Sequence, residues 1–304
     1  VSRAAEGSFD RTLNVTGPVE LDVTTGSGTI HVRAGDSSTV RVHATLRSHN
    51  GWGGNDRAED RVHYLEQHPP IEQDGNTIRI GHIEDRELTR NISISYDLVV
   101  PADTRLAAQT GSGDQTIGGI RGPLKASTGS GSLRISDIGD EVRANTGSGD
   151  IQLDAIKGGV SANTGSGTIR ARGVAGEFVG ETGSGNVHLE QTAPGRVKVT
   201  SGSGSVDLNG VRGALRVEAG SGNIRAQGEA TGDWRLDTGS GGITVRLPSN
   251  AAFDLHAHTS SGSISTDHHV TILGTVSRSD WRGKARGGGF LLDVRTGSGD
   301  IRIE

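Results

Sequence analysis

Along most of the chain, apolar and polar residues alternate in short runs, and the runs restart at a nearly constant interval. Leu133, Ile151, Ile169, Val187, Val206, Ile224, Ile243 and Ile264 each begin such a run, and Ile135, Leu153, Ala171, Leu189, Leu208, Ala226 and Val245 lie two places further on. Alternation with a period of two and one apolar face predicts a half-buried β-strand. A second apolar pair belongs to each interval: Leu124 with Ala126, Val142 with Ala144, Val160 with Ala162, Val197 with Val199, Leu215 with Val217, Trp234 with Leu236, and Phe253 with Leu255. Each interval therefore supplies two strands. The corner between them often carries an inward aliphatic of its own, such as Ile120, Ile138, Ile156, Val174 or Val211.

Gly-Ser-Gly marks the interval. The triplet begins at Gly111, Gly129, Gly147, Gly165 and Gly183, 18 residues apart each time, and returns at Gly202, Gly220 and Gly239. A variant follows at Ser260–Gly262, and separate copies begin at Gly26 and Gly297. A period near 20 residues is the signature of a solenoid, in which each strand pairs with its equivalent in the next coil. The expected fold is all-β: a β-solenoid or β-helix of ~18-residue coils with two strands per coil. About ten coils at a strand spacing of ~4.8 Å would span roughly 50 Å.

Gly111, Gly113, Gly129, Gly131, Gly147, Gly149, Gly165, Gly167, Gly183, Gly185, Gly202 and Gly204 are read as structural turn residues that bracket a tight reversal at positive φ. Thr128, Thr146, Thr164 and Thr182, with Ser130, Ser148, Ser166 and Ser184, are expected to hydrogen-bond the turn backbone and to stack as hydroxyl ladders.

The period fails between Gly26 and Gly111. There Asp56–Gln67 predicts a short helix ending before Pro69. Residues 71–80 predict a hairpin around Asp74-Gly75-Asn76, and residues 91–100 a strand closed by Pro101. Four segments follow from this pattern: N-terminal strands and a first coil over 1–36, an insertion or cap over 37–105, the regular solenoid over 106–259, and irregular coils with a final half coil over 260–304.

Composition narrows the picture. The 49 glycines recur in register, against only 7 prolines, and so mark repeated turns rather than disorder. Aromatic residues make up 3%, which leaves a thin aliphatic core. With no cysteine there are no disulfides, thiolate metal sites or thiol nucleophiles. A net charge of −5 offers no general basic field for nucleic acid, and no run approaches the ~18 apolar residues of a membrane helix. The absence of methionine, with Val1 as the first residue, suggests a mature or trimmed product and so allows export.

The serial TGSG coils, the segments "PPIEQDGNTIRIGH" and "ISISYDLVVPADTRL", and the ending "SRSDWRGKARGGGFLLDVRTGSGDIRIE" resemble the bacterial DUF4097 family of candidate adhesins. The resemblance covers essentially the whole chain. It implies a β-solenoid at or beyond the cell envelope and brings no catalytic residues.

Several clusters merit weighing as chemistry. His256 and His258 share one strand face and would form a metal site if Asp267 or His269 folded back on them, although solvent-facing imidazoles are the commoner outcome. His43, His49, His63, His68 and His82 have no ligand spacing. The residue after each triplet drifts through Asp114, Ser132, Asp150, Thr168, Asn186, Ser205, Asn223, Gly242 and Asp300, which argues against a calcium ligand repeated in every coil. Asp267, His269, Arg278, Asp280, Arg282 and Lys284 would serve a polysaccharide-cleaving β-helix, but the coils are short for walling a cleft. Outward columns carry Arg134, Gln152, Arg170, His188 and Arg225 on one strand. Lys125, Arg143, Lys198, Arg216 and Arg235 stand on the other, beside Asn145, Asn163, Glu181, Glu218 and Asp237. They read first as a solvated surface and second as a face for an anionic glycan or lipopolysaccharide. Regular Thr-Gly-Ser rows also invite an ice-binding reading, which glycine-flanked turns serve poorly.

The expectation is a non-enzymatic, extracellular or cell-surface structural or adhesive protein, with the periplasm allowed and no cofactor. Gly297, Ile301 and Ile303 form a half coil with nothing after it, and Ile30 and Val32 an early coil. Completion of one by the other would give head-to-tail self-association or filaments. The alternatives are a polysaccharide-active β-helix enzyme and a periplasmic envelope-sensing domain.

Overall fold

The alternating runs form strands whose apolar residues meet in a narrow core between two sheets. The computed structural model describes residues 5–36, 38–49, 56–273 and 277–304, with all their side chains except those of 56, 57 and 86. Parts of the predicted insertion and of the irregular C-terminal coils, residues 37, 50–55 and 274–276, lie outside the described residues. The chain folds as two compact units, Val1–Gly149 and Asp150–Glu304.

The first unit contains β1 (Glu6–Asn14), β2 (Val19–Ser27), β3 (Ile30–Ala34), β4 (Thr39–Ser48), α1 (Asp56–Gln67), β5 (Ile71–Asp74), β6 (Thr77–Ile80), α2 (Arg86–Thr89), β7 (Ile92–Val100), β8 (Thr104–Ser112), β9 (Gln115–Gly118), β10 (Leu124–Thr128), β11 (Leu133–Ile138) and β12 (Val142–Thr146). One sheet runs β1-β4-β7-β3-β9-β11 and the other β5-β6-β2-β8-β10-β12. The helix, the hairpin β5–β6 and the strand β7 fall where the sequence places them. They cover the first coil: β7 takes the free edge of β3, and β6 that of β2. Helix α1 buries Ala58, Val62 and Leu65. It lies so close to β1 that a Cβ on Gly7 would come within 2.6 Å of Val62 Cγ1. Tyr96 is buried with no partner for its hydroxyl, and that burial pushes its phenol pKa up.

The second unit contains β13 (Ile151–Ile156), β14 (Val160–Thr164), β15 (Ile169–Val174), β16 (Phe178–Thr182), β17 (Val187–Gln191), β18 (Val197–Ser203), β19 (Val206–Val211), β20 (Leu215–Ser221), β21 (Ile224–Gly228), β22 (Trp234–Ser240), β23 (Ile243–Arg246), β24 (Phe253–Ser261), β25 (Ile264–Thr266), β26 (Val270–Ile272), β27 (Asp280–Ala285), β28 (Phe290–Ser298) and β29 (Ile301–Ile303). One sheet runs β13-β15-β17-β19-β21-β23-β29-β25, the other β14-β16-β18-β20-β22-β28-β24-β27-β26. Consecutive coils stack in parallel and in register, Ile151 on Ile169 on Val187 in one sheet and Val160 on Phe178 on Val197 in the other.

The last coil corrects the reading of a terminal half coil. Strands β28 and β29 supply both halves, and they are inserted between the coil of β22–β23 and that of β24–β25. Ile301 and Ile303 are paired on both edges, with β23 and β25, and Ser298 beside Gly297 lies between Ser240 and Ser261. At the other end Ile30 and Val32 are likewise paired on both edges, with β7 and β9. None of these residues offers an open strand edge, so the premise of head-to-tail completion fails. Beyond the inserted coil, β27 runs antiparallel to β24 and takes its outer edge.

The Gly-Ser-Gly turn is built differently from the expectation. In the regular coils Gly129, Gly131, Gly147 and Gly149 lie outside the left-handed range; the left-handed residues Gly119, Asp137, Ala155 and Gly173 occupy the opposite corner. The last glycine of the triplet does take the expected positive φ at Gly28, Gly222, Gly241, Gly262 and Gly299, but in the regular coils what requires glycine is the neighbouring coil. A Cβ on Gly129 would sit 2.5 Å from Gly111 O, and one on Gly131 would overlap Gly113 O outright. Side chains would push the stacked turns apart.

The threonines form no hydroxyl ladder with one another. Each is buried and bridges two coils through backbone: Thr182 Oγ1 donates to Gly167 O at 3.0 Å and accepts from Gly185 N at 3.0 Å. Thr128 and Thr146 repeat the pattern, while Ser130, Ser148, Ser166 and Ser184 point to solvent. The drift after the triplet is ordered too. Asp114, Asp150, Asn186, Asn223 and Asp300 each accept from the backbone N–H at the same position of the next coil, Ser132, Thr168, Ser205, Gly242 and Ser263 respectively. Acceptor coils therefore alternate with coils that need none.

Candidate functional site

The outward face of the sheet β18-β20-β22-β28-β24-β27 concentrates charge on the second unit. Parallel pairing sets Lys198 beside Arg216 and Arg216 beside Arg235. The same row continues through Asp293 of β28, His256 of β24 and Arg282 of β27. The row next to it reads Glu218, Asp237, Arg295, His258 and Asp280.

Strands β20 and β22 run base then acid, and β28 inverts the order, so that base meets acid across the junction. Arg235 Nε lies 3.3 Å from Asp293 Oδ2, and Arg295 grips the same carboxylate with Nε to Oδ1 at 2.9 Å and Nη2 to Oδ2 at 3.1 Å. Held between two guanidinium groups, the Asp293 side chain is only 4% exposed although it faces outward. Sequence columns missed Asp293 because its neighbour in space, Arg235, is far from it along the chain.

At the other end of the row, Arg216 Nε donates to Glu218 Oε1 at 2.8 Å, whereas Arg196 and Lys198 form no ion pair among the described residues. Arg196, Lys198, Arg216 and Arg235 line a shallow groove of about 520 Å³ with the edges of Leu215 and Trp234, and the carboxylates Glu218, Asp233 and Asp293 line it too.

The remaining predicted columns are less continuous than expected. Lys125 does pair with Arg143. In the second unit Lys198 is preceded across the sheet by Val179 and Ser161, which breaks the basic row. On the other sheet Gln152, Arg170 and His188 are followed by Asp207 before Arg225. Asn163 and Glu181 are cross-strand neighbours, and Arg134 lies 3.7 Å from Asp114.

The histidines do not converge. His258 Nδ1 is 3.3 Å from Asp280 Oδ2, and His256 and His258 line a cavity of about 240 Å³ with Asp280, Arg282, Asp293 and Arg295. Asp267, His268 and His269 line another, of about 630 Å³, with Arg286 and Glu304. Among the described residues no group of three or more His, Asp or Glu could hold a metal ion. Lys284 pairs with Asp254 at 3.5 Å, and Arg278 is exposed. In the first unit His43, His63 and His82 each face one carboxylate, and His68 stacks on Tyr64. Near the end of the chain, the hydrogen bond from Arg246 holds the Glu304 carboxyl pKa below its usual value and raises that of the guanidinium.

The family model described as Toastrack DUF4097 matches residues 139–304, more than half of the chain. The chain belongs to that family. The Toastrack match takes in the inserted coil and the whole charged face. Three crystal structures share the likeness at low identity. A candidate cell adhesion protein from Clostridium sporogenes is 12% identical, covering 98% of this chain and 99% of its own, with a TM-score of 0.22. A candidate adhesin from Bacteroides fragilis is 12% identical over 98% and 97%, with a TM-score of 0.29. A candidate lipid-binding protein from Parabacteroides distasonis is 13% identical over 98% and 96%, with a TM-score of 0.39. No curated protein matches the chain in sequence. No helix among the described residues is long and apolar enough to cross a membrane.

Proposed function

We propose that this Toastrack chain is a non-enzymatic, exported β-solenoid of the bacterial cell surface or periplasm that binds an anionic glycan on the outward face of its second unit. The observation that carries the reading is the groove with Arg196 and Lys198 at β18, Arg216 on β20 and Arg235 on β22, three successive coils, with Arg196 and Lys198 in no ion pair among the described residues. Strands ~4.8 Å apart present one side chain per step, close to the advance of one sugar residue in an extended polyuronate. Each contact is weak and screened by salt, and several acting together give avidity. Separation of His269 from Asp280 into two cavities favours binding over cleavage. Neither polymerisation through paired terminal strands nor a cofactor is part of this reading.

Biolayer interferometry on immobilised polygalacturonate tests it. Binding at low salt should weaken as salt rises and fall several-fold in the double variant Arg196→Glu, Lys198→Glu. Equal binding by parent and variant, or none by the parent, overturns the reading.

A further inference from the structure

The manner in which the last coil is held has a consequence for association that is independent of the charged face. Residues Phe290–Glu304 form β28 and β29, and their ladders are made to β22 and β24 in one sheet and to β23 and β25 in the other. Strand β28 does not pair with β27, which precedes it; β24 lies between them. The connection Arg286–Gly289 therefore straddles the start of β24, so close that a Cβ on Gly289 would overlap Ala252 O. Three successive residues there are left-handed: Arg286 with φ 48°, Gly287 with φ 87° and Gly288 with φ 95°. An arginine in that region is strained, and strained short hinges favour exchange.

The slot also matches itself when empty. Leu236 and Ala257 both face Val294, Thr238 and Thr259 both face Thr296, and Ser240 and Ser261 both face Ser298. With the segment withdrawn, β22 and β24 still present matching registers to an incoming strand, so the slot accepts the identical segment of another copy residue for residue.

The geometry points to exchange: the segment Phe290–Glu304 of one copy leaves its slot and fills the same slot in a second copy, while the second copy's segment fills the first, giving a closed reciprocal dimer. Every ladder is retained in such a pair, because none depends on the segment and its slot belonging to one chain. The only backbone that must change is the hinge Arg286–Gly289.

The absence of cysteine makes the test clean. Ser240 and Ser298 are exposed and directly opposite in β22 and β28. The full chain carrying Ser240→Cys and a second full chain carrying Ser298→Cys are mixed, unfolded in urea, refolded together at high protein concentration and oxidised. Exchange places the two thiols opposite each other only in a mixed pair. The disulfide-linked heterodimer is then expected to exceed either homodimer by about tenfold or more, with the excess rising with protein concentration during refolding. A heterodimer no more abundant than the homodimers at any concentration overturns the proposal. The double variant in a single chain, refolded dilute, should form the intrachain disulfide; failure to do so while folded would overturn the inserted placement itself.

Discussion

Asp300 Oδ1 accepts hydrogen bonds from both the backbone N–H and the side-chain hydroxyl of Ser263, each at 2.8 Å. These bonds, the hydroxyl's first, hold the Asp300 carboxyl pKa below its usual value. A depressed folded-state pKa contributes stability above the unfolded-state value and loses it as pH falls through the folded-state one. Asp300→Ala should therefore lower Tm at pH 7, with the difference from the parent closing as pH falls below ~4, the ordinary carboxylate range. Thermal unfolding followed by circular dichroism across this range checks it; a pH-independent difference would count against the bond.

Both corners of a coil should favour glycine over alanine, for different reasons. Gly131→Ala drives a methyl into Gly113 O and should destabilise by about 3 kcal/mol or more, since backbone cannot move aside as a side chain does. Ala155, exposed and left-handed at φ 56°, should gain roughly 0.5–1 kcal/mol on change to glycine. Urea denaturation of both variants reads the two signs, and a neutral Gly131→Ala would mean that the stacked turns are not in close contact.

Thr182 tests the bridge between coils. Thr182→Val keeps the shape but orphans the buried Gly167 carbonyl and Gly185 N–H, a loss of about 1–3 kcal/mol. Thr182→Ser retains the hydroxyl and should cost less than half as much. A larger loss in Thr182→Ser than in Thr182→Val would assign the role to the methyl group instead.

Asp293 anchors the inserted coil. Asp293→Ala leaves Arg235 and Arg295 without their shared carboxylate and should cost about 2 kcal/mol, less than a fully buried pair because the guanidinium groups remain half solvated. A double-mutant cycle with Arg235→Ala should return a coupling of the stabilising sign; additivity within ~0.3 kcal/mol would show that the charges do not interact.

Much of the architecture was legible from residue order. Strand faces, the two strands per coil, helix α1 and the hairpin β5–β6 all follow from alternation or turn chemistry within a few residues, where local sterics and one-sided burial act. Of the candidate site, Lys198, Arg216 and Arg235 were visible as a column because successive coils stack in register. Asp293, His256 and Arg282 were not, because they join that column out of sequence order.

What local pattern could not supply was the order of the coils and the reason for the glycines. A faint signal was present: after the triplets, acceptor and non-acceptor residues alternate, and only with Asp300 between Gly242 and Ser263 does every second coil supply a side-chain acceptor to the next. The periodic pattern of residues by itself determined the solenoid and its two faces, and marked where the period breaks. Tertiary structure alone decided that the last coil lies inside the stack and that the turn glycines serve close approach, because both depend on contacts between backbones one coil or more apart in sequence.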